Sequence, residues 1–363
     1  MVEYDDFKPT PRESEKRNKR RERKREDGSK GKVRDVTPRK ETSGKFPWKA
    51  VILTFLFTAL GAGLVGLYFS YNYEERKYAY TKQPIVVQES EALDAMKQSL
   101  ESGDSALTAV RKGFRSDIVA RNDAGAYVFK PINFDLKFHN RKTKNVKKLM
   151  TGEWEYVENA KILSHKAIDV SAHQGEIDWK KVAEDGVEYA MIRAGIRGYE
   201  TGKLVADERV SENLAGASEN GIKTGVYFVT QAITAEEVDE EVEFLLATIA
   251  PYEIKGPVTV DVEPTAEKTG RADTLSAKDR TDLVVRFCEK VKEAGYTPMI
   301  YYNFETAVLL TEVDRLEEYD KWYASYSSEL YYPYNYSIWQ YTDSGRVEGI
   351  SENVDLDMVF DEW

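Results

Sequence analysis

Pro257-Val-Thr-Val-Asp261-Val-Glu263-Pro264 reads as a short buried strand that ends in two carboxylates and is stopped by a proline. Side chains alternate across a strand, so Asp261 and Glu263 leave the same face, about 7 Å apart at about 3.3 Å per residue. Two acids so placed are what cleavage of a glycosidic bond needs: one protonates the leaving oxygen, the other attacks or stabilises the sugar. A D-x-E triplet closing a strand is also common in purely structural roles. The elements on either side carry the argument further.

From Lys166 onward, strand and helix signals alternate. Strands are expected over 167–170, 188–193, 224–230, 258–262 and 297–302, then over 323–326, 337–341 and 354–356. Helices are expected around 179–184, with Asp178 as N-cap, and over 208–220. Two more open at Thr234-Ala-Glu-Glu237, a capping box, and at Ser276-Ala-Lys-Asp279. Gly221 and Gly295 stop two of them. Such alternation predicts an α/β fold with a parallel sheet, and this many repeats favour a TIM-like β/α barrel. An open doubly wound sheet is the runner-up. No G-x-G-x-x-G opens a helix in this alternation and no G-x-x-x-x-G-K-[ST] is present, so dinucleotide and phosphate readings fall away.

In such barrels chemistry gathers at the C-terminal strand ends. The acids expected there are Asp169 on the first strand, Asp261 and Glu263 on the middle one, and Asp355 and Asp357 on the last. Tyr227, Tyr301, Trp322 and Trp339 fall on strands as well. Rings beside carboxylates suit carbohydrate, although core packing explains most strand tyrosines.

Charge divides the chain differently. Residues 1–49 carry 17 Lys+Arg against 10 Asp+Glu, a net of +7, and 50–73 carry no charge. The remainder has a net of −18 within a whole-chain charge of −11. Residues 1–46 are too polar to bury a core and are expected to be a disordered basic tail. Nucleic acid is a weaker explanation of that charge than the segment that follows. Residues 47–70 hold about twenty apolar residues, enough to span a hydrocarbon core of about 30 Å. Trp48, Tyr68, Tyr71 and Tyr73 flank this span, and the basic excess lies on its N-terminal side. The positive-inside rule then predicts a single transmembrane signal anchor with a cytoplasmic N-terminus and an extracellular body. Residues 71–164 read as a small membrane-proximal module or stalk, and 165–363 as the barrel. The basic run Arg141–Lys148 could face anionic wall polymers, or be a solvated loop. Cys288 stands alone, and His139, His165 and His173 are scattered without ligand spacing, so neither a zinc-type metal site nor a cofactor is expected.

Seven stretches occur in an order that resembles glycoside hydrolase family 25, the Chalaropsis-type lysozymes or N-acetylmuramidases. They are Ile168-Asp-Val-Ser-Ala-His-Gln-Gly175, Ala190-Met-Ile-Arg-Ala-Gly195, Gly225-Val-Tyr-Phe228, Val260-Asp-Val-Glu263, Trp322-Tyr-Ala-Ser-Tyr326, Trp339-Gln-Tyr341 and Val354-Asp-Leu-Asp357. The resemblance implies an irregular β/α barrel that hydrolyses the β-1,4 bond between N-acetylmuramic acid and N-acetylglucosamine in peptidoglycan. It implies Glu263 as general acid, Asp261 as its carboxylate partner, and Asp169 and Asp355 as further catalytic acids. Tyr227 matches the tyrosine near the substrate's acetamido group, and Arg193, Tyr301, Trp322 and Trp339 are the remaining candidates for glycan contact. Retaining and inverting outcomes both stay open at this stage. Two departures are present: Tyr227-Phe228-Val229 stands where the family has Tyr-His-Phe, and Asp357 where it has Asn. A rival expectation is an inactive, membrane-anchored peptidoglycan-binding module. An outward-facing body without disulfides fits the surface of a Gram-positive bacterium.

Overall fold

The computed structural model describes residues 85–363. The expected tail over 1–46 and span over 47–70 lie outside the described residues. No helix among the described residues is long and apolar enough to cross a membrane. There are two compact units, and the division falls between Phe114 and Arg115.

In the first unit, α1 (Ile85–Glu101) and α2 (Ala106–Gly113) are separated by Ser102-Gly103-Asp104-Ser105. Ser105 caps α2 by accepting a hydrogen bond from the Thr108 amide. Gly113 lies against α1, where an added Cβ would come within 2.6 Å of Met96 Cγ.

The second unit opens with an antiparallel hairpin, β1 (Asp117–Arg121) and β2 (Tyr127–Pro131), and a small sheet of β3 (Val146–Lys148), β4 (Trp154–Glu158) and β5 (Lys161–Ile162). The barrel follows with β6 (His165–Val170), α3 (Trp179–Glu184), β7 (Tyr189–Arg197), β8 (Leu204–Ala206), α4 (Val210–Glu219) and β9 (Lys223–Val229). It continues with α5 (Ala235–Ile249), β10 (Val258–Asp261), α6 (Ala277–Glu293), β11 (Pro298–Asn303), β12 (Asp320–Ala324), β13 (Ile338–Gly345) and β14 (Val354–Val359). The helix starts are those the caps predict: Asp178, Thr234 and Ser276 each accept a backbone N–H three residues on. Gly221 and Gly295 take the left-handed conformation that ends α4 and α6.

Eight strands close the barrel in the order β6-β7-β9-β10-β11-β12-β13-β14, with β14 returning to β6. Pairing is parallel from β6 through β13, but β14 is antiparallel to both of its neighbours. The expectation of a fully parallel sheet is corrected on this point. The reversal matters, because the first residues of β14 now lie at the same mouth as the last residues of β6: Asp355 is in register with Asp169. The interior is filled by Ala167, Tyr189, Met191, Tyr227, Met299, Tyr301, Trp322 and Ile338. It is a packed core and not a pore.

The helical layer is incomplete. Between β11 and β12 there is only a π turn (Thr306–Leu310) and a 3₁₀ turn (Val313–Leu316), and no helix separates β12 from β13. Residues 115–164 cover this side. Trp154 stacks on Tyr341 and meets Trp339 edge-on, and Tyr156 packs edge-on against Phe360. Phe138 bridges to Tyr334, and buried His139 makes a 2.8 Å hydrogen bond to the Tyr332 carbonyl. Arg141 is buried with its guanidinium 3.7 Å from the Phe360 ring centroid and 4.6 Å from that of Tyr336. It is a core residue, so the basic surface patch expected over 141–148 loses its first member. The part of the expected module or stalk from Arg115 on shares a core with the barrel.

Candidate active site

The barrel mouth brings together acids from β6, β10 and β14. Asp169 is next to last in β6, Asp261 ends β10, and Asp355 and Asp357 are the second and fourth residues of β14. Glu263 lies two residues past Asp261, after Val262 has made one more bond to β11 through the Tyr301 carbonyl. Pro264 then ends the extended run. Asp169, Asp261 and Asp357 are buried, while Glu263 and Asp355 are half-buried and so the more accessible acids.

Gln340 on β13 organises one side. Its amide nitrogen donates to Asp169 at 2.7 Å, and its carbonyl accepts the Tyr301 hydroxyl at 2.9 Å and the Tyr326 hydroxyl at 3.1 Å. Arg193 on β7 is gripped by Asp207, with both Nε and Nη2 at 2.8 Å from one carboxylate oxygen. Asp207 is itself fixed by the Ala172 and Arg209 amides. The Arg193 charge still acts on Asp261 and Tyr227. Arg193 thus reaches the site with its Nε and Nη2 already held by Asp207. Gln340 and Asp207 went unnoticed in the sequence. The Trp339-Gln-Tyr341 motif contained the first, whereas nothing in the pattern marked the second.

Electrostatics at the mouth run against ionisation. Burial, with the Glu263 charge beside it, pushes the Asp261 carboxyl well above its ordinary range, and Arg193 opposes this. Asp261 Oδ1 is buried without a hydrogen-bond partner, as suits a group held neutral. Burial also raises Glu263, hydrogen bonds to Tyr301 and Asn303 pull it back, and the Asp355 charge raises it again. Both shifts favour the protonated form of the pair. Asp169 is raised by burial and by Asp355 and Asp357, and burial lifts Asp355 itself to about 6. No group of three or more His, Cys, Asp or Glu residues among those described is arranged to hold a metal ion.

The aromatic candidates separate. Tyr227 and Tyr301 both meet Trp322 edge-on inside the barrel, with ring centroids 5.7 and 4.5 Å from it. Trp322 is only 1% exposed and donates its indole N–H to Asp357 at 2.7 Å. It presents no free face to a sugar. Trp339 lies on the opposite face of the sheet against Trp154, away from the mouth, which removes it from the glycan contacts expected of it. Tyr326, just past β12, is 53% exposed yet bonded to Gln340. It is the open ring at the site.

The sequence profile of Glycosyl hydrolases family 25 matches residues 168–350, half of the chain. The chain belongs to this family. Among the relatives it matches, the autolytic lysozyme of Clostridium acetobutylicum is 30% identical over 195 residues, covering 53% of this chain and 55% of the lysozyme. The uncharacterized protein YegX of Escherichia coli K12 is 29% identical over 206 residues, covering 53% of this chain and 68% of YegX. The modular autolysin LytC of Streptococcus pneumoniae, solved in complex with a synthetic peptidoglycan ligand, superposes with a TM-score of 0.50 at 22% identity. That superposition covers 67% of this chain and 56% of LytC, and supports the family 25 barrel as a fold. The chain thus spans little more than half the length of the lysozyme and of LytC.

Proposed function

We propose that this chain is a peptidoglycan hydrolase of the lysozyme type, cleaving the β-1,4 bond between N-acetylmuramic acid and N-acetylglucosamine. The observation that carries this reading is the Asp261–Glu263 pair at the barrel mouth, where burial raises both carboxyls and Glu263 is the more accessible of the two. Glu263 gives its proton to the leaving oxygen. The Tyr301 hydroxyl has one proton to donate, and both Gln340 and Glu263 lie within its reach. While Glu263 is protonated, Tyr301 donates to Gln340; once Glu263 has lost its proton, Tyr301 turns to the new carboxylate. Asp261 orients the 2-acetamido group, whose oxygen closes on the anomeric carbon, and Asp169 and Asp355 face the oxocarbenium charge that develops. Tyr326 provides the ring on which a sugar face stacks.

The test is incubation of purified peptidoglycan with the full chain. The expected result is soluble muropeptides with new reducing ends on muramic acid, and proton NMR should show the β-anomer first. An α-anomer released first would overturn retention. Binding without release would make the barrel a glycan-gripping module and overturn the hydrolase reading.

The body is further proposed to sit outside the cell, anchored by residues 47–70. The apolar run, its aromatic flanks and the basic residues before it support this arrangement. The full chain should pellet with membranes and resist alkaline carbonate, whereas deletion of 47–70 should release it. Carbonate extraction of the intact chain would refute the anchor.

A further inference from the structure

Asp357 has no task in the mechanism above, yet it is 1% exposed and points into the barrel. Its Oδ1 accepts the Trp322 indole N–H at 2.7 Å, and its Oδ2 is buried with no donor group facing it. What stands beside it is the Asp169 carboxyl, on the strand paired with β14. Ionised carboxylates only accept hydrogen bonds, so two that touch out of water must hold a proton between them. Gln340 and Trp322 each donate to one oxygen of the pair; Asp169 lies within hydrogen-bonding reach of Asp357 and also of Asp355, its register partner.

We propose that Asp357 is a positioning residue: a proton held between its carboxyl and that of Asp169 ties the first and last strands together and keeps Asp169 aimed at the reacting sugar. This inference rests on the hydrolase reading for its effect on rate, but not for the proton itself. The charged groups facing Asp357 are Asp169 from β6 and Asp355 from its own strand, while β12 and β13 offer the uncharged Trp322 and Gln340. One step further out, Asp343 of β13 acts on Asp355.

Burial, reinforced by Asp355, lifts Asp357 from an ordinary 3.8 to about 8. The folded chain therefore binds more protons than the unfolded one between these values. Stability from this source is fully present below the unfolded value and is lost as the pH rises through the folded one. Above it, like charges meet at the β6–β14 seam and Asp169 loses its support.

The experiment compares the full chain with D357N and D357L across pH 5–10, reading kcat/KM on peptidoglycan and melting temperature. An Asn side chain donates to Asp169 at every pH. Wild type should lose activity above about pH 8, tenfold per pH unit at the steepest, as expected for loss of one proton. In D357N that limb should move up by a unit or more, and the fall of melting temperature between pH 5 and 8 should flatten. D357L should lose kcat more than tenfold with KM little changed. Identical limbs and identical melting slopes in wild type and D357N would overturn the proposal, even if D357L fails to fold. If wild type cleaves nothing while the melting slopes still differ, the shared proton stands and the hydrolase reading falls.

Discussion

E263Q in the full chain is expected to reduce muropeptide release about 10²- to 10⁴-fold, the usual loss when a general acid is removed. The substitution is nearly isosteric. Gln can still meet Tyr301 and Asn303, the two groups within hydrogen-bonding reach of Glu263, so glycan binding should persist and KM should change little. The loss should therefore fall on kcat, the mark of an interaction made in the transition state. Melting temperature should stay level or rise near neutral pH, because a half-buried acid with a raised pKa gives way to a neutral amide. Quantifying new reducing ends by borohydride labelling at matched protein concentration measures the effect. Activity within threefold of wild type would move the acid role to another carboxyl, with Asp261 the next to replace.

The alternation of strands and helices was legible because each barrel helix carries its own cap and each strand its own apolar run. Thr234, Ser276 and Gly295 punctuate the chain where the structure turns. Asp261 and Glu263 were legible for the same reason, since a strand of period two ending at a proline fixes their side. Three features were hidden. The reversal of β14 leaves no local trace, as a short strand reads alike in both directions, and only pairing with β6 and β13 decides it. Trp322 and Trp339 lie on opposite faces of strands whose register is set by their neighbours, so their residue type alone could not assign them to core or ligand. The function of residues 115–164 was obscured because their aromatic residues complete a core whose other half lies about two hundred positions away, as in the Asn133 amide bonded to the Tyr334 hydroxyl.

That last feature leads to the second large effect. A fragment starting at residue 165 should fail to fold cooperatively, whereas one starting at residue 115 should melt as a single unit. Removing 115–164 strips Phe138, His139, Arg141, Trp154 and Tyr156 from the side of the barrel that lacks helices. Tyr332, Tyr334, Tyr336, Trp339 and Tyr341, all buried in the intact unit, then face water on one side. Full exposure of a large apolar side chain costs about 1.5–3 kcal/mol. Even about 1 kcal/mol for each of five partly uncovered rings approaches the lower end of the 5–15 kcal/mol by which domains of this kind are stable. The Tyr332 carbonyl also loses its bond to His139, and the newly bared aromatic face is large enough to drive association. Circular dichroism melts with limited proteolysis distinguish the two fragments. If the 165–363 fragment melts within a few degrees of 115–363 and resists protease equally, the barrel closes without its N-terminal cover, and residues 115–164 revert to a spacer.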